Sequence, residues 1–281
     1  MTTRALVLSG GGVAGIAWQL GLAEGLTQAG VQLRTADLIV GTSAGSVVGA
    51  TVRADAVNVG YRRQLEPPEN LSEAPPWDPE LMMKSLQSAA AQSTSRQDAR
   101  ARLAALALRR GSEGTEDERL AVVRSGLVSD TWPAEPMLVT AVDAIDGAFV
   151  TFDAGSGVDF VRAIAASCAA PLVWPPVTID SHRYMDGGVR SLSNADLAAG
   201  HDRVLIVSCF PEPPINPFGP SLSQVTDALR QSGEVFHVQA DGASLAAYGA
   251  NPLDPASRAA SARAGVRQAT GVADAVGSFW G

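Results

Sequence analysis

The chain has 281 residues, 46% of them hydrophobic, and carries a formal net charge of −8. This length can bury the core of one large α/β domain, and the acidic balance without a basic stripe argues against a nucleic-acid partner. Two cysteines are too few for a secreted disulfide framework, and no apolar run approaches the roughly 18 residues of a membrane span. No signal peptide opens the chain and no zinc or calcium ligand spacing is visible, so we expect a cytoplasmic protein without a metal or other cofactor.

The first predicted strand, Arg4–Leu8, runs into a glycine-rich loop. Gly10, Gly12 and Gly15 fit the G-x-G-x-x-G pattern of dinucleotide-binding proteins. Such a site also needs an acidic residue at the far end of the second strand to hold the ribose, but Asp37 lies at the near end of that strand. The pattern therefore gives only weak support to a dinucleotide site.

The same loop has a second interpretation, as an oxyanion hole. A helix is predicted from about Val13 to Ala29, so the loop lies at its positive N-terminal end. Glycines let a substrate carbonyl approach the main chain closely, as stabilisation of a developing oxyanion requires. We favour this interpretation, in which the loop residues are Gly10, Gly11, Gly12 and Val13.

The second predicted strand, Asp37–Val40, leads straight into the pentapeptide Gly41-Thr42-Ser43-Ala44-Gly45. Small apolar residues follow, which predicts a helix from about Ala44 to Val52. A G-x-S-x-G sequence between a strand and a helix is typical of a nucleophile elbow, a strained turn that exposes a reactive serine. Ser43 is then the candidate nucleophile, and we expect a Cβ at Gly41 or Gly45 to collide with the neighbouring helix or strand.

An insertion of different character spans residues 53–135. It begins with two Pro-rich stretches, Glu66–Pro68 and Ala74–Trp77, and continues with helices predicted near Pro79–Ala91 and Arg96–Arg110 and the acidic segment Glu116–Arg119. One interpretation is that these helices pack on the sheet and turn a charged face to solvent, with Arg96, Arg100, Arg102 and Arg109 around the apolar side. The other is a lid over Ser43, or a surface that meets an anionic lipid interface.

The remaining elements complete an α/β pattern. The sequence predicts a strand at Met137–Val142, a turn at Asp146-Gly147, a strand at Ala148–Phe152, a helix at Asp159–Cys168, a hairpin at Val177–Met185, a strand at Arg203–Ser208 and a helical C-terminal part at 221–281. Strands that alternate with helices favour a three-layer α/β/α sandwich with a mixed, mostly parallel central sheet. We treat residues 1–281 as a single domain.

Asp186 follows the predicted hairpin and opens an Asp186-Gly187-Gly188 sequence, which on its own is typical of a turn. It gains meaning from its place after the glycine loop, the G-x-S-x-G serine and the block Ala166-Ser167-Cys168-Ala169-Ala170-Pro171. These four blocks, in this order, resemble the patatin-like phospholipase family. The resemblance covers about residues 4–52 and 137–208.

The resemblance implies that Ser43 is the nucleophile, that Asp186 is its base and that Gly10, Gly11 and Gly12 form the oxyanion loop. At one place the chain departs from the family. Where members often have Arg or Lys in the glycine loop, this chain has Val13-Ala14, which lessens the support for a phospholipid substrate.

Three histidines bear on the mechanism. A Ser-His-Asp triad in α/β-hydrolase order would need the histidine after the acid, which leaves His201 or His237. Neither lies in a motif that would hold an imidazole against Ser43, and His182 lies at the tip of the predicted hairpin. We therefore expect structural roles for all three and a Ser-Asp dyad, in which the carboxylate takes the serine proton directly.

The leading hypothesis is a serine hydrolase of lipid or carboxylic esters, with peripheral contact to a membrane or lipid surface as a further expectation. Two alternatives stay open. One is a catalytically weak binding or regulatory protein on the same scaffold, and the other is a nucleotide-dependent oxidoreductase that uses the glycine loop.

Overall fold

The computed structural model describes residues 2–67, 77–110 and 115–281, and within them eight strands form one sheet. In chain order the strands are β1 Arg4–Leu8, β2 Leu38–Gly41, β3 Met137–Asp143, β4 Phe149–Phe152, β5 Val177–Ile179, β6 His182–Asp186, β7 Arg203–Ser208 and β8 Glu234–Gln239. Of the two predicted Pro-rich stretches, Pro68 and Ala74–Pro76 lie outside the described residues.

The helices fill the intervals between the strands. They are α1 Gly12–Gln28, α2 Ala44–Arg53, α3 Val57–Leu65, α4 Pro79–Ala91, α5 Arg96–Arg110, α6 Glu116–Gly126, α7 Phe160–Ser167, α8 Leu222–Leu229, α9 Gly242–Tyr248 and α10 Arg258–Trp280. Short 3₁₀ helices add local turns, among them Ala195–Ala198.

The sheet is mixed and mostly parallel. Its order is β5-β6-β3-β2-β1-β7-β8, and β4 also pairs with β3. The pairs β1–β2, β1–β7, β2–β3 and β7–β8 are parallel, whereas the pairs that involve β4, β5 and β6 are antiparallel. Hairpins can return a strand directly, and this explains why the antiparallel pairs gather on the β3 side of the sheet.

The central strands are buried on both faces, which explains their nearly continuous apolar sequences. On β1, Leu6 and Leu8 belong to the core cluster that contains α1, α2 and α10, while Ala5 and Val7 belong to the cluster under α8 and the Ala195–Ala198 turn. Strand β7 divides its side chains between the same two clusters. This alternation confirms the predicted three-layer α/β/α sandwich.

Helix α10 packs more extensively on α1 than any other pair of described elements packs together. Glycines allow the close approach. A Cβ on Gly21 would lie 2.0 Å from the Ala262 carbonyl oxygen, and one on Gly265 would lie 2.2 Å from the Trp18 carbonyl oxygen. Since the N-terminal end of α1 carries the glycine loop, this contact also fixes the position of that loop.

The prediction of a helical C-terminal part at 221–281 needs a correction, because this part contains β8. The strand extends the sheet beyond β7, in parallel register from Arg203–Glu234 to Ser208–Gln239. Its sequence, Glu-Val-Phe-His-Val-Gln, is β-branched and aromatic enough to form a strand, but it is short and lies in an alanine-rich region. Helix α3 is a second element that the sequence did not indicate.

One predicted solvent-facing residue of the insertion is buried. The Arg100 guanidinium donates hydrogen bonds from Nε to the Gly147 carbonyl oxygen at 2.7 Å and from Nη1 to the Phe218 carbonyl oxygen at 2.5 Å. Arg100 thereby ties α5 to the β3–β4 turn and to the loop before α8. The helical periodicity of the sequence could not distinguish Arg100 from its exposed neighbours, because the partners of Arg100 are distant in sequence.

Alanine substitutions at two glycines of α10 would test how closely this helix packs on α1. Helix propensity alone would raise the free energy of unfolding of either Gly265→Ala or Gly271→Ala by up to about 1 kcal/mol. A Cβ at Gly271 meets nothing within 4 Å, whereas at Gly265 it would overlap the α1 backbone. We therefore expect Gly271→Ala to unfold in urea at or above the wild-type midpoint, and Gly265→Ala to lose roughly 1–3 kcal/mol or more. Equal midpoints for the two variants would contradict the close contact.

Candidate active site

Ser43 lies in the turn between β2 and α2 with φ +52° and ψ −118°, a region that non-glycine residues rarely adopt. Such a conformation costs of order 1–3 kcal/mol and persists only where the surroundings fix it. Here the Ser43 N–H donates to Ser167 Oγ at 2.8 Å, and the Ser43 carbonyl oxygen accepts from Ser46 Oγ at 2.6 Å. The half-buried Ser43 side chain lines a cavity.

The two glycines that flank Ser43 leave no room for a side chain. A Cβ on Gly45 would lie 2.0 Å from the Leu8 carbonyl oxygen of β1, and one on Gly41 would lie 2.5 Å from the Ser46 Cα of α2. These are the collisions with strand and helix that the sequence predicts. Glycine at both positions lets α2 start immediately after the turn.

The glycine loop leaves three N–H groups unused at the start of α1. The backbone N–H groups of Gly11, Gly12 and Val13 donate to no acceptor in the part of the chain that the structure describes. All three residues line the cavity that contains Ser43. Unpaired donors at the positive end of a helix suit the binding of an oxyanion.

Gly10 differs from the other loop residues, and here the predicted set of donors needs a correction. Its N–H already donates to the Leu192 carbonyl oxygen at 2.8 Å, so it offers no free donor. A Cβ on Gly10 would lie 3.4 Å from the Ser43 Cβ, which shows how closely the loop passes the serine. Gly10 therefore lets the loop pass close to Ser43, and the available N–H donors belong to the next three residues.

Steric contacts fix the rest of the loop. A Cβ on Gly11 would lie 2.4 Å from Cys209 Sγ, and a Cβ on Gly15 would lie 2.9 Å from the same atom. Gly12 has φ +63°, and a Cβ there would lie 2.9 Å from the Pro252 carbonyl oxygen. A larger residue at any of these positions would displace the loop as well as crowd the cavity. Loss of activity in such a variant would not by itself identify an oxyanion hole.

Asp186 ends β6 and faces the same cavity. Its Oδ1 accepts a hydrogen bond from the Gly188 N–H at 2.7 Å. Burial raises the pKa of the Asp186 carboxyl to about 6, although the nearby Ser43 hydroxyl, the Gly188 N–H and the charge of Arg119 oppose that shift. A Cβ on Gly187 would lie 2.2 Å from Thr140 Oγ1, so the Asp-Gly-Gly turn fits tightly against β3.

The cavity has a volume of about 280 Å³ and is mainly apolar. The sheet side contributes the serine, the aspartate and the glycine loop. The insertion contributes another part of the wall, from residues of α4, α5 and α6 and the segment before them: Trp77, Met82, Leu86, Leu103 and Arg119. The insertion helices therefore take part in the site as well as packing on the sheet.

The three histidines have partners elsewhere. His182 Nδ1 lies 2.6 Å from Asp143 Oδ2, His201 Nδ1 lies 3.1 Å from the Ala198 carbonyl oxygen, and His237 Nε2 lies 2.9 Å from Ser208 Oγ. Across the described residues, no histidine hydrogen-bonds to Ser43 and none lines its cavity.

The two cysteines differ in exposure. Cys209 is buried beneath the glycine loop, but Cys168 is half-buried and lines the cavity. Burial raises the pKa of the Cys168 thiol to about 11 and that of Cys209 to about 12, so both are protonated at neutral pH. Neither is a competing nucleophile.

Two negative findings concern only residues 2–67, 77–110 and 115–281. No group of three or more His, Cys, Asp or Glu side chains there could hold a metal ion. No helix among the same residues is both long and apolar enough to cross a membrane.

Sequence reasoning did not identify three neighbours of the site. Ser167, which accepts the Ser43 N–H, belongs to the Ala-Ser block, so its position in a motif could have indicated it. Arg119 and Trp174 also line the cavity, with the Arg119 guanidinium carbon 4.1 Å from the centroid of the Trp174 ring. No local signal marks either of them, because they meet only in the folded chain.

The chain resembles two solved structures at low sequence identity. VipD from Legionella pneumophila is 12% identical, with a TM-score of 0.42, and the match covers 98% of this chain and 67% of VipD. The type III effector protein ExoU is 19% identical, with a TM-score of 0.37 and coverage of 97% and 53%. This chain thus spans about half the length of ExoU. No curated protein sequence matches it.

The family model described as "Patatin-like phospholipase" matches residues 6–199, which is more than half of the chain. The matched range includes the glycine loop, the Ser43 turn, the insertion and Asp186. The chain belongs to the patatin-like phospholipase family.

Proposed function

We propose that the protein hydrolyses carboxylic esters of lipids, with Ser43 as nucleophile and Asp186 as its base. The observation that carries the proposal is the meeting of three groups in one mainly apolar cavity: a serine in a strained turn, a buried carboxyl and three unpaired backbone N–H groups. Acyl transfer through a serine needs these three functions. The membership of the chain in a phospholipase family supports a lipid substrate.

In the first half of the reaction, Ser43 Oγ attacks the ester carbonyl carbon while Asp186 takes the hydroxyl proton. The carbonyl oxygen becomes an oxyanion, which accepts hydrogen bonds from the N–H groups of Gly11, Gly12 and Val13. The tetrahedral intermediate then collapses, the bond to the alcohol oxygen breaks, and Asp186 gives its proton to the leaving alcohol. The product is an acyl-serine at Ser43.

In the second half, a water molecule attacks the acyl carbon and loses its proton to Asp186. The oxyanion forms again at the same N–H groups, and its collapse releases the carboxylic acid and returns the proton to Ser43. A carboxyl whose pKa lies near 6 is a stronger base than an exposed aspartate, because burial has made its charged form less stable. This supports direct proton transfer without a histidine.

The insertion fits the role of a lid. Its side chains from α4 and α5 form an apolar part of the wall of the cavity that contains Ser43, which would exclude bulk water and accept an acyl chain. The cavity volume, about 280 Å³, lies at the lower end of ligand sites, roughly 300–1,000 Å³. Met83 and Val122, on the insertion helices α4 and α6, are 54% and 60% exposed, which supports peripheral contact with a lipid surface.

The alternatives have less support. Asp37 Oδ2 accepts the Arg4 N–H at 2.7 Å, so this carboxylate lies at the amino ends of β1 and β2, away from the glycine loop. A bound dinucleotide would find no acidic ribose partner there. A scaffold without catalytic activity would need neither the strained Ser43 conformation nor a buried, ionisable carboxyl at Asp186.

The dyad predicts a specific pattern among single substitutions. Ser43→Ala and Asp186→Asn should each lower the hydrolysis of a chromogenic short-chain ester by about a thousand-fold or more, since each removes a group that acts in both chemical steps. His201→Ala and His237→Ala should keep most activity. The measurement is kcat/KM for the four purified variants.

Circular dichroism of each variant controls for folding. Asn at position 186 can still accept the Gly188 N–H, and Ala at position 43 needs no more space than Ser. Retention of most activity by folded Ser43→Ala would refute the serine mechanism. A thousand-fold loss in one histidine variant, matching that of Asp186→Asn, would establish a triad instead.

The pKa of Asp186 predicts the pH dependence of the rate. The base must be ionised, and its pKa is raised to about 6, so kcat/KM should fall as the pH drops through about 6 and should level off above it. An ordinary exposed aspartate would instead give a midpoint near 4. A midpoint near 4, or one that disappears when His201 or His237 is replaced, would contradict the assignment.

A further inference from the structure

Arg119 brings a positive charge to the wall of the cavity that faces Ser43. It lies on α6 of the insertion, and its guanidinium stacks on Trp174 at 4.1 Å from the ring centroid. Arg119, Trp174, Ser43 and Asp186 all line the same cavity. The glycine loop itself contains no cation, since Val13-Ala14 occupy its only non-glycine positions before Gly15.

The guanidinium of Arg119 lacks the partners that its neighbours on α6 have. Glu116 pairs with Arg162 at 2.8 Å, Glu118 accepts the Thr115 N–H at 2.7 Å, and Arg124 pairs with Asp130 at 3.0 Å. Within the described ranges, the Arg119 guanidinium makes no hydrogen bond or ion pair with any side chain or backbone group, and its Nε is shielded from solvent. Its stacking on Trp174 leaves the planar edge of the guanidinium, which carries its donors, open to a ligand.

Asp186 stabilises this charge only through space. Burial lowers the pKa of the Arg119 guanidinium, and the negative charge of Asp186 opposes that effect. An arginine stays cationic throughout the physiological range. Its cost of burial is therefore offset only in part by the protein, and an anion within hydrogen-bond distance would complete the site.

We propose that Arg119 is a specificity residue. It binds an anionic oxygen group that the substrate carries beside the scissile ester, and this inference rests on the proposed ester hydrolysis. A guanidinium matches a carboxylate or a phosphate with two parallel hydrogen bonds. The substrates would then be esters with one negative group and one acyl chain, the acyl chain lying on the apolar wall of α4 and α5. The charge comes from the insertion and not from the glycine loop.

Binding to catalytically blocked protein tests the site without hydrolysis. In a Ser43→Ala background, calorimetry would compare hexyl phosphate and hexanoate with the uncharged hexanol. Adding Arg119→Gln should weaken the binding of at least one anion by about 10- to 100-fold and leave hexanol within about 2-fold. Arg119→Lys should recover part of the loss. The two anions distinguish a phosphate-bearing substrate from a carboxylate-bearing one.

Hydrolysis supplies the second readout, at pH 8.5, where Asp186 is ionised with or without its neighbour. For 1-hexanoylglycerol 3-phosphate against 1-hexanoylglycerol, and for O-hexanoyl-lactate against its methyl ester, Arg119→Gln should lower kcat/KM selectively for the charged member of at least one pair. Arg124→Gln is the matched control on the same helix, with an exposed side chain paired to Asp130, and should change neither pair.

Three results would overturn the proposal: equal losses on charged and neutral esters, which would mean that Arg119 acts through Asp186; no loss on either; or equal binding of anions and hexanol by the unsubstituted site. If the wild type hydrolyses none of the esters but binds hexyl phosphate or hexanoate through Arg119, the anion site stands and the proposed hydrolysis fails.

Discussion

The site depends on how closely α2 and α1 approach strand β1. At Gly45 the helix backbone lies so near the Leu8 carbonyl oxygen that a single added carbon would stand 2.0 Å from it. This contact brings the turn that precedes α2 beside the loop that follows β1. It also leaves Ser43 in a positive-φ conformation and places the Ser43 Cβ next to Gly10. Parallel pairing of β1 with β2 makes both chain segments leave the sheet at the same edge.

The electrostatics of the site follow from that geometry. The start of α1 presents unpaired N–H groups, and the carboxyl of Asp186 is buried against the same cavity, so a positive backbone region and a carboxyl group line the cavity that contains Ser43. Burial raises the pKa of Asp186, and this same cost makes the carboxylate a better proton acceptor. The Arg119 charge limits the shift. The insertion therefore influences the pKa of Asp186 as well as the shape of the cavity.

Most of the fold could be predicted because its signals are local. Strands such as Arg4–Leu8 and Arg203–Ser208 are mainly apolar runs, and the helices α1 and α2 begin at the small residues Gly12 and Ala44 soon after β1 and β2. Strand β8 was missed because its pairing with β7, which the local sequence does not encode, decides its structure. The turn serine, the aspartate and the glycine loop could be named because each occupies a motif with a steric requirement.

The parts of the site that the sequence could not supply arise from contacts between distant segments. Whether Gly10 has a free N–H depends on the Leu192 carbonyl, far along the chain. The burial of Arg100 depends on Gly147 and Phe218, and the position of Arg119 depends on Trp174. A helical pattern shows which side chains share a face. It does not show which arginine of that face finds a carbonyl and which faces a cavity.

A structure of the protein after reaction with a fluorophosphonate is the most direct test of the central claim. The account predicts a phosphorus atom bonded to Ser43 Oγ, with the phosphonyl oxygen about 2.7–3.1 Å from N–H groups among Gly11, Gly12 and Val13. Asp186 should lie beside the adduct with no histidine near it. Absence of labelling, labelling of another residue, or a phosphonyl oxygen turned away from the glycine loop would contradict the account.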